Sequence, residues 1–96
     1  MGNGSFCLVE ANSYVGLILL TDMMCKSANV ELRWVRKIGG GMVAACFKGD
    51  LGSVVTAFET AEYLSKEKRI NIKKVILSSP NIIIKNLLEQ EGYIFD

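Results

Sequence analysis

The chain has no histidine, a single proline and a single tryptophan among 96 residues. Without imidazole it lacks the commonest general base near neutral pH and the commonest metal ligand. Its cysteines, Cys7, Cys25 and Cys46, are odd in number, far apart and without C-x-x-C spacing. Neither a disulfide framework nor a metal site is expected from them, and they read as small buried thiols. Excess charge is lacking too. Eleven basic and ten acidic residues leave a net charge of +1, which argues against a dedicated nucleic-acid binder and gives no reason to expect a membrane surface. The longest apolar run, Tyr14 to Leu20, is stopped by Thr21 and Asp22, too short to cross a bilayer. No basic segment precedes it and no A-x-A site follows, so it does not read as a secretory signal, and the cytosol is the expected compartment.

What is present is a core-forming chain, 50% apolar and 22% charged, with no internal repeat, low-complexity tract or linker. The expectation is one domain over residues 1–90 and a tail over 91–96. Phe6 to Ala11 reads as a first strand. Asn12 and Ser13 can cap a helix running to about Ser27. Tyr14, Leu17, Ile18, Thr21, Met24, Cys25 and Ala28 follow helical spacing along one side of it, and Leu19, Leu20 and Met23 widen the apolar arc. That width implies packing on something besides its own sheet.

Val30 to Ile38 and Met42 to Lys48 read as an antiparallel pair joined by glycines. Asp50 caps a helix from Leu51 to about Lys66, with an apolar stripe of Val54, Ala57, Phe58, Ala61 and Leu64. Ile70 to Leu77 makes a fourth strand. Ser79-Pro80 places a cap before a proline at the first helical position, opening a last helix from Asn81 to about Gln90 that stops at Gly92 and leaves the tail Tyr93-Ile94-Phe95. The order β-α-β-β-α-β is the ferredoxin-like unit. The predicted class is α+β, an antiparallel sheet with helices on one face and a short C-terminal helix. That fold hosts many functions.

Gly39-Gly40-Gly41 forms a loop without side chains, which needs a compensating reason: a bound anion, a close neighbour or an opening kept clear. It matches neither G-x-x-x-x-G-K-[ST] nor G-x-G-x-x-G, and it leads into a strand rather than a helix, so no dipole favours an anion there. No catalytic set is expected. The carboxylates Glu10, Asp22, Glu31, Asp50, Glu59 and Glu62 are scattered singly, and no serine has an evident base. The basic cluster Lys66, Lys68, Arg69, Lys73 and Lys74 lacks interleaved aromatics and reads as a solvated turn. Trp34, flanked by Arg33 and Arg36, reads as a ligand-stacking surface or an interface anchor.

Three segments, "DMMCKSANV" (Asp22 to Val30), "RKIGGGMV" (Arg36 to Val43) and "KGDLGSV" (Lys48 to Val54), occur in the order and spacing of the BMC domain. "LVE" at Leu8 to Glu10 fits the opening of the same pattern. Over roughly Phe6 to Leu88 the chain resembles this family of hexameric shell proteins of bacterial microcompartments. The resemblance implies a BMC-like domain that forms a homo-hexamer, a tile packing edge to edge with other shell proteins around encapsulated enzymes in the bacterial cytoplasm. It implies no enzyme activity and no cofactor. Six copies of Gly39, Gly40 and Gly41 would line a central pore for small metabolites. Gly40 stands where the family often has serine, so the opening should be wider. Lys37 matches a lysine beside the pore loop; it would either add positive charge favouring anions or pair its charge at a subunit interface.

By the same resemblance Lys26 would lie along the hexamer edge with Asn29 beside it, its stem covering apolar area while the ammonium donates across the seam. Ser79 stands where the family's edge arginine would be, so a charge-assisted contact between tiles is missing. Ser13, Leu17, Leu19 and Leu20 also replace smaller family residues around the first helix, so packing there is expected to differ. The tail's aromatics could cover the tile rim or bind cargo. The contrasting reading is a small ferredoxin-like ligand-sensing domain, dimeric or trimeric, with the glycine loop holding an effector.

Overall fold

The computed structural model describes residues 4–90. Along them run β1 (Ser5–Ala11), α1 (Tyr14–Ser27), β2 (Glu31–Gly39), β3 (Met42–Gly49), α2 (Leu51–Glu67), β4 (Ile72–Ser78) and α3 (Ile82–Glu89). The four strands form one antiparallel sheet in the order β2-β3-β1-β4. This is the predicted α+β arrangement.

Strand alternation sorts the side chains onto two faces. Cys7, Val9 and Ala11 of β1, with Val43, Ala45 and Phe47 of β3, point into the main core. There they meet Leu17, Leu20 and Met24 of α1 and Val54, Ala57, Ala61 and Leu64 of α2. The stripe predicted for α2 is the one buried, with Phe58 half-buried at its margin. Each fully buried aliphatic side chain contributes roughly 1.5–3 kcal/mol over exposure. The other residues of the same strands, Phe6 and Cys46, make a second, smaller core with Trp34 and Leu88. α1 and α2 therefore cover one face, and α3 crosses the other.

Both long helices begin on the residues that chemistry favours as caps. The Ser13 hydroxyl accepts from the Gly16 N–H at 3.0 Å, and Asp50 Oδ1 accepts from the Ser53 N–H at 2.8 Å. α3 differs from expectation. Its cap is Asn81, whose Oδ1 accepts from the Ile83 N–H at 2.8 Å, so Pro80 precedes the cap instead of starting the helix. The predicted Gly92 stop and the aromatic tail lie outside the described residues.

Only part of the apolar arc on α1 is buried within the chain. Leu17, Leu20, Thr21 and Met24 are buried, whereas Tyr14, Ile18 and Cys25 are exposed with Val15, Leu19 and Met23. One face of a helix can touch the sheet, and the remaining apolar residues turn outward. Cys25 is thus a correction to the expectation of three buried thiols. Burial pushes Cys7 and Cys46 up to about 12. β4 starts at Ile72, because the chain first turns through Arg69 at φ +57 and ties Ile70 N–H to the Ser65 carbonyl at 2.8 Å.

Candidate functional site

Gly40 and Gly41 form the turn between β2 and β3, with Gly39 opposite Met42. Their φ angles are +61 and +78, and Gly39 lies at +94. A two-residue hairpin turn that follows the twist of its strands asks for positive φ at both central positions. The third glycine is explained by a register shift between Lys37 and Gly39, which makes Ile38 the extra, exposed residue of a bulge. Local backbone geometry accounts for the whole run.

The tip this produces is bare. A Cβ added at any of the three glycines would meet no atom within 4 Å. Beside it opens a cavity of about 340 Å³ lined by Tyr14, Lys37, Gly39, Gly41, Met42 and Val43. Lys37 itself is exposed near the end of β2.

The other three candidates sit at the opposite end of the sheet. Gly39 and Met42 close one end, where Ala11 also pairs with Val43 and Ile72; Ser5, Gly49 and Ser78 close the other. Asn29 is exposed, and its carbonyl oxygen would lie 3.1 Å from a Cβ on Gly49. Lys26 occupies the last turn of α1 at that end, exposed and paired with Asp22 at 3.0 Å. Ser79 follows β4 there, also exposed, at φ +50. At about 3.4 Å per residue, an eight-residue strand separates the two groups by roughly 25 Å. The fold thus brings Lys37 to the glycine hairpin, and Lys26, Asn29 and Ser79 to the far rim.

Two expectations need correction. Trp34 is neither a ligand platform nor an exposed interface anchor: it is 7% exposed and donates its indole N–H to the Leu88 carbonyl at 2.9 Å. The Arg36 guanidinium lies 4.1 Å from its ring centroid and donates to the Gln90 carbonyl at 3.2 Å. The basic cluster is also not all solvated turn. Lys74 projects from β4 toward α2, paired with Glu62 and 4.6 Å from the centre of the Phe58 ring. Only the period of β4, which puts residues 72, 74 and 76 on the helix side, could have marked that lysine in advance. Among the described residues no group of three or more Cys, Asp or Glu could hold a metal ion, and no helix is long and apolar enough to cross a membrane.

The BMC domain family matches residues 5–80. Over 63 residues, 66% of this chain, the sequence is 35% identical to the carboxysome assembly protein CcmO of Synechococcus elongatus, covering 23% of that protein. It is 42% identical over 50 residues to the bacterial microcompartment shell protein PduA of Citrobacter freundii, 52% of this chain and 54% of that one. The matches therefore span about half of PduA and a quarter of CcmO. A microcompartment protein from Desulfitobacterium hafniense superposes with a TM-score of 0.75 at 22% identity, covering 92% of this chain and 48% of that one, and so shares the fold.

Proposed function

Since the chain belongs to the BMC-domain family, we propose that it is a structural shell protein of a bacterial microcompartment, assembling as a cyclic hexamer with a glycine-lined pore. The observation that carries this reading is the separation along the sheet. The bare hairpin of Gly39, Gly40 and Gly41 stands at one end, and Lys26, Asn29 and Ser79 stand at the other. A subunit of a tile needs that polarity: one end gathers around an axis while the other meets the next tile. A ring also needs two different patches that join head to tail. The outward apolar residues of α1, among them Val15, Ile18, Leu19 and Met23, supply a candidate for one of them.

In this reading six hairpin tips surround an opening with a rim of backbone N–H and C=O groups. Lys37 stands beside it as a source of repeated positive charge favouring small anions. Work is done by assembly and passage rather than by catalysis, in partnership with other shell proteins and enclosed enzymes in the cytoplasm. The ligand-sensing alternative rests on the cavity between Tyr14, Lys37 and the hairpin.

Native mass spectrometry of the untagged protein tests the ring. A six-subunit species is expected, and Gly40→Ser should then reduce solute passage across assembled shells, because six hydroxymethyl groups enter the opening. A stable monomer, dimer or trimer at all concentrations would overturn the ring and favour the sensor. In that case a specific metabolite at 100-fold its Kd should stabilise the fold by about 2.7 kcal/mol.

A further inference from the structure

The connection between β4 and α3 is strained. Ser79 has φ +50, a region rarely visited by residues other than glycine, asparagine, aspartate and histidine. The next residue is Pro80, whose ring pushes its predecessor toward extended backbone. Two independent steric effects thus oppose the conformation that folds α3 back over its own sheet. Such strain persists only where the surroundings hold it.

What holds it is confined to the last turn of α3. Leu88 packs with Phe6, Trp34 and Cys46, and its carbonyl accepts from the Trp34 indole. Glu89 pairs with Lys48, and the Gln90 carbonyl accepts from Arg36. The first turn contributes little: Ile82 is 62% exposed and Ile83 73%. A helix anchored at its far end and joined through a strained three-residue link is arranged for exchange, as strained short hinges favour swapping.

Opening the hinge to extended backbone would relieve Ser79 and empty the seat. Phe6 and Cys46, both fully buried, would be exposed, and the indole N–H would lose its acceptor. Another copy of α3 carries the groups that complete that seat. We infer that α3 is exchanged between two copies of this chain, the Ser79-Pro80 hinge opening so that each helix occupies the seat of Phe6, Trp34, Cys46 and Lys48 on the other. Reciprocal exchange is a self-complementary pairing. It does not require the ring proposed above.

The test co-expresses two differently tagged chains, both carrying Cys25→Ser to remove the exposed thiol. One carries Lys48→Cys and the other Glu89→Cys, so a short bifunctional thiol reagent, spanning the reach of the two long side chains it replaces, joins positions 48 and 89 of different chains only when a helix has crossed. A single chain with both substitutions reports the uncrossed seat. The expected result is an interchain 48–89 cross-link, identified by peptide mass, whose yield falls several-fold when Ser79→Gly relaxes the hinge in both chains. An interchain yield insensitive to Ser79→Gly would overturn the inference, as would a cross-link found only within the doubly substituted chain. Failure of both arrangements to cross-link would overturn it too, because α3 would then not occupy this seat. The readout concerns one seat, so it is unaffected by whether six subunits form a ring.

Discussion

Glu62 shows how one residue ties a helix to a strand. Its carboxylate accepts from Lys66 on the next turn of α2 and from Lys74 on β4. The hydrogen bond from Lys66, then that from Lys74, lowers its pKa from an ordinary 4.5 to about 2. A carboxyl depressed on folding stabilises the folded state fully above its unfolded value and loses that contribution as pH falls through the folded one. The stabilisation should therefore fade between about pH 4.5 and pH 2. Melting temperature followed against pH should fall across this window in the native chain and less steeply in Glu62→Gln. Equal slopes would mean that the lysines do not hold this carboxyl. The hairpin glycines carry a different residue-scale lesson. Each sits at positive φ in open space, so a side chain there meets backbone strain rather than a clash.

At the scale of elements, α3 is the least secured piece. α1 and α2 bury continuous stripes against the sheet, while α3 buries Leu88 alone. Its polar anchors lie in the same turn, where the hydrogen bond from Lys48 holds the Glu89 carboxyl below the usual carboxylate range. Leu88→Ala should cost about 2–3 kcal/mol through lost transfer and cavity terms. Trp34→Phe should cost about 1 kcal/mol by orphaning the Leu88 carbonyl. Hydrogen exchange locates the effect: amides of α3 should exchange faster in both variants, while those of β1 and β3 keep the protection of the main core. Uniform loss of protection would instead make the second core part of a single cooperative unit. Part of this element was legible beforehand. The Ser79-Pro80 pair announced a helix from Asn81 to about Gln90, but spacing does not reveal that its first turn stays outside while Leu88 goes in.

At the scale of the whole molecule, the proposed tile would separate folding from assembly. Lys26 is exposed, and its ion pair with Asp22 is a surface pair within one helix, of a kind worth little to stability. Lys26→Ala should leave the melting temperature of isolated subunits nearly unchanged, yet reduce sheet or tube formation seen by electron microscopy. Sheets equal to those of the native chain would remove Lys26 from the edge. A fall in melting temperature would show that the lysine serves the fold. Ser79 bears on both scales. In the proposed tile it would stand at the edge, where the family resemblance leads one to look for arginine, and its φ of +50 also makes it the inferred hinge of α3.

The order of strands and helices, the caps Ser13 and Asp50 and the stripe of α2 were determined by the sequence itself, because local chemistry and periodicity act over a few residues. The glycine run also announced a special turn, since few other residues tolerate consecutive positive φ. Only the tertiary structure decided which part of the apolar arc on α1 is buried, because one helix offers a single face to a sheet. It decided too that Trp34 belongs to the fold, since its hydrogen-bond partner is 54 residues away. Likewise Lys74 is pinned, because α2 passes over β4. The distance between glycine hairpin and far rim is of the same kind. Sequence lists those residues one after another, and the sheet's register sets them at opposite ends.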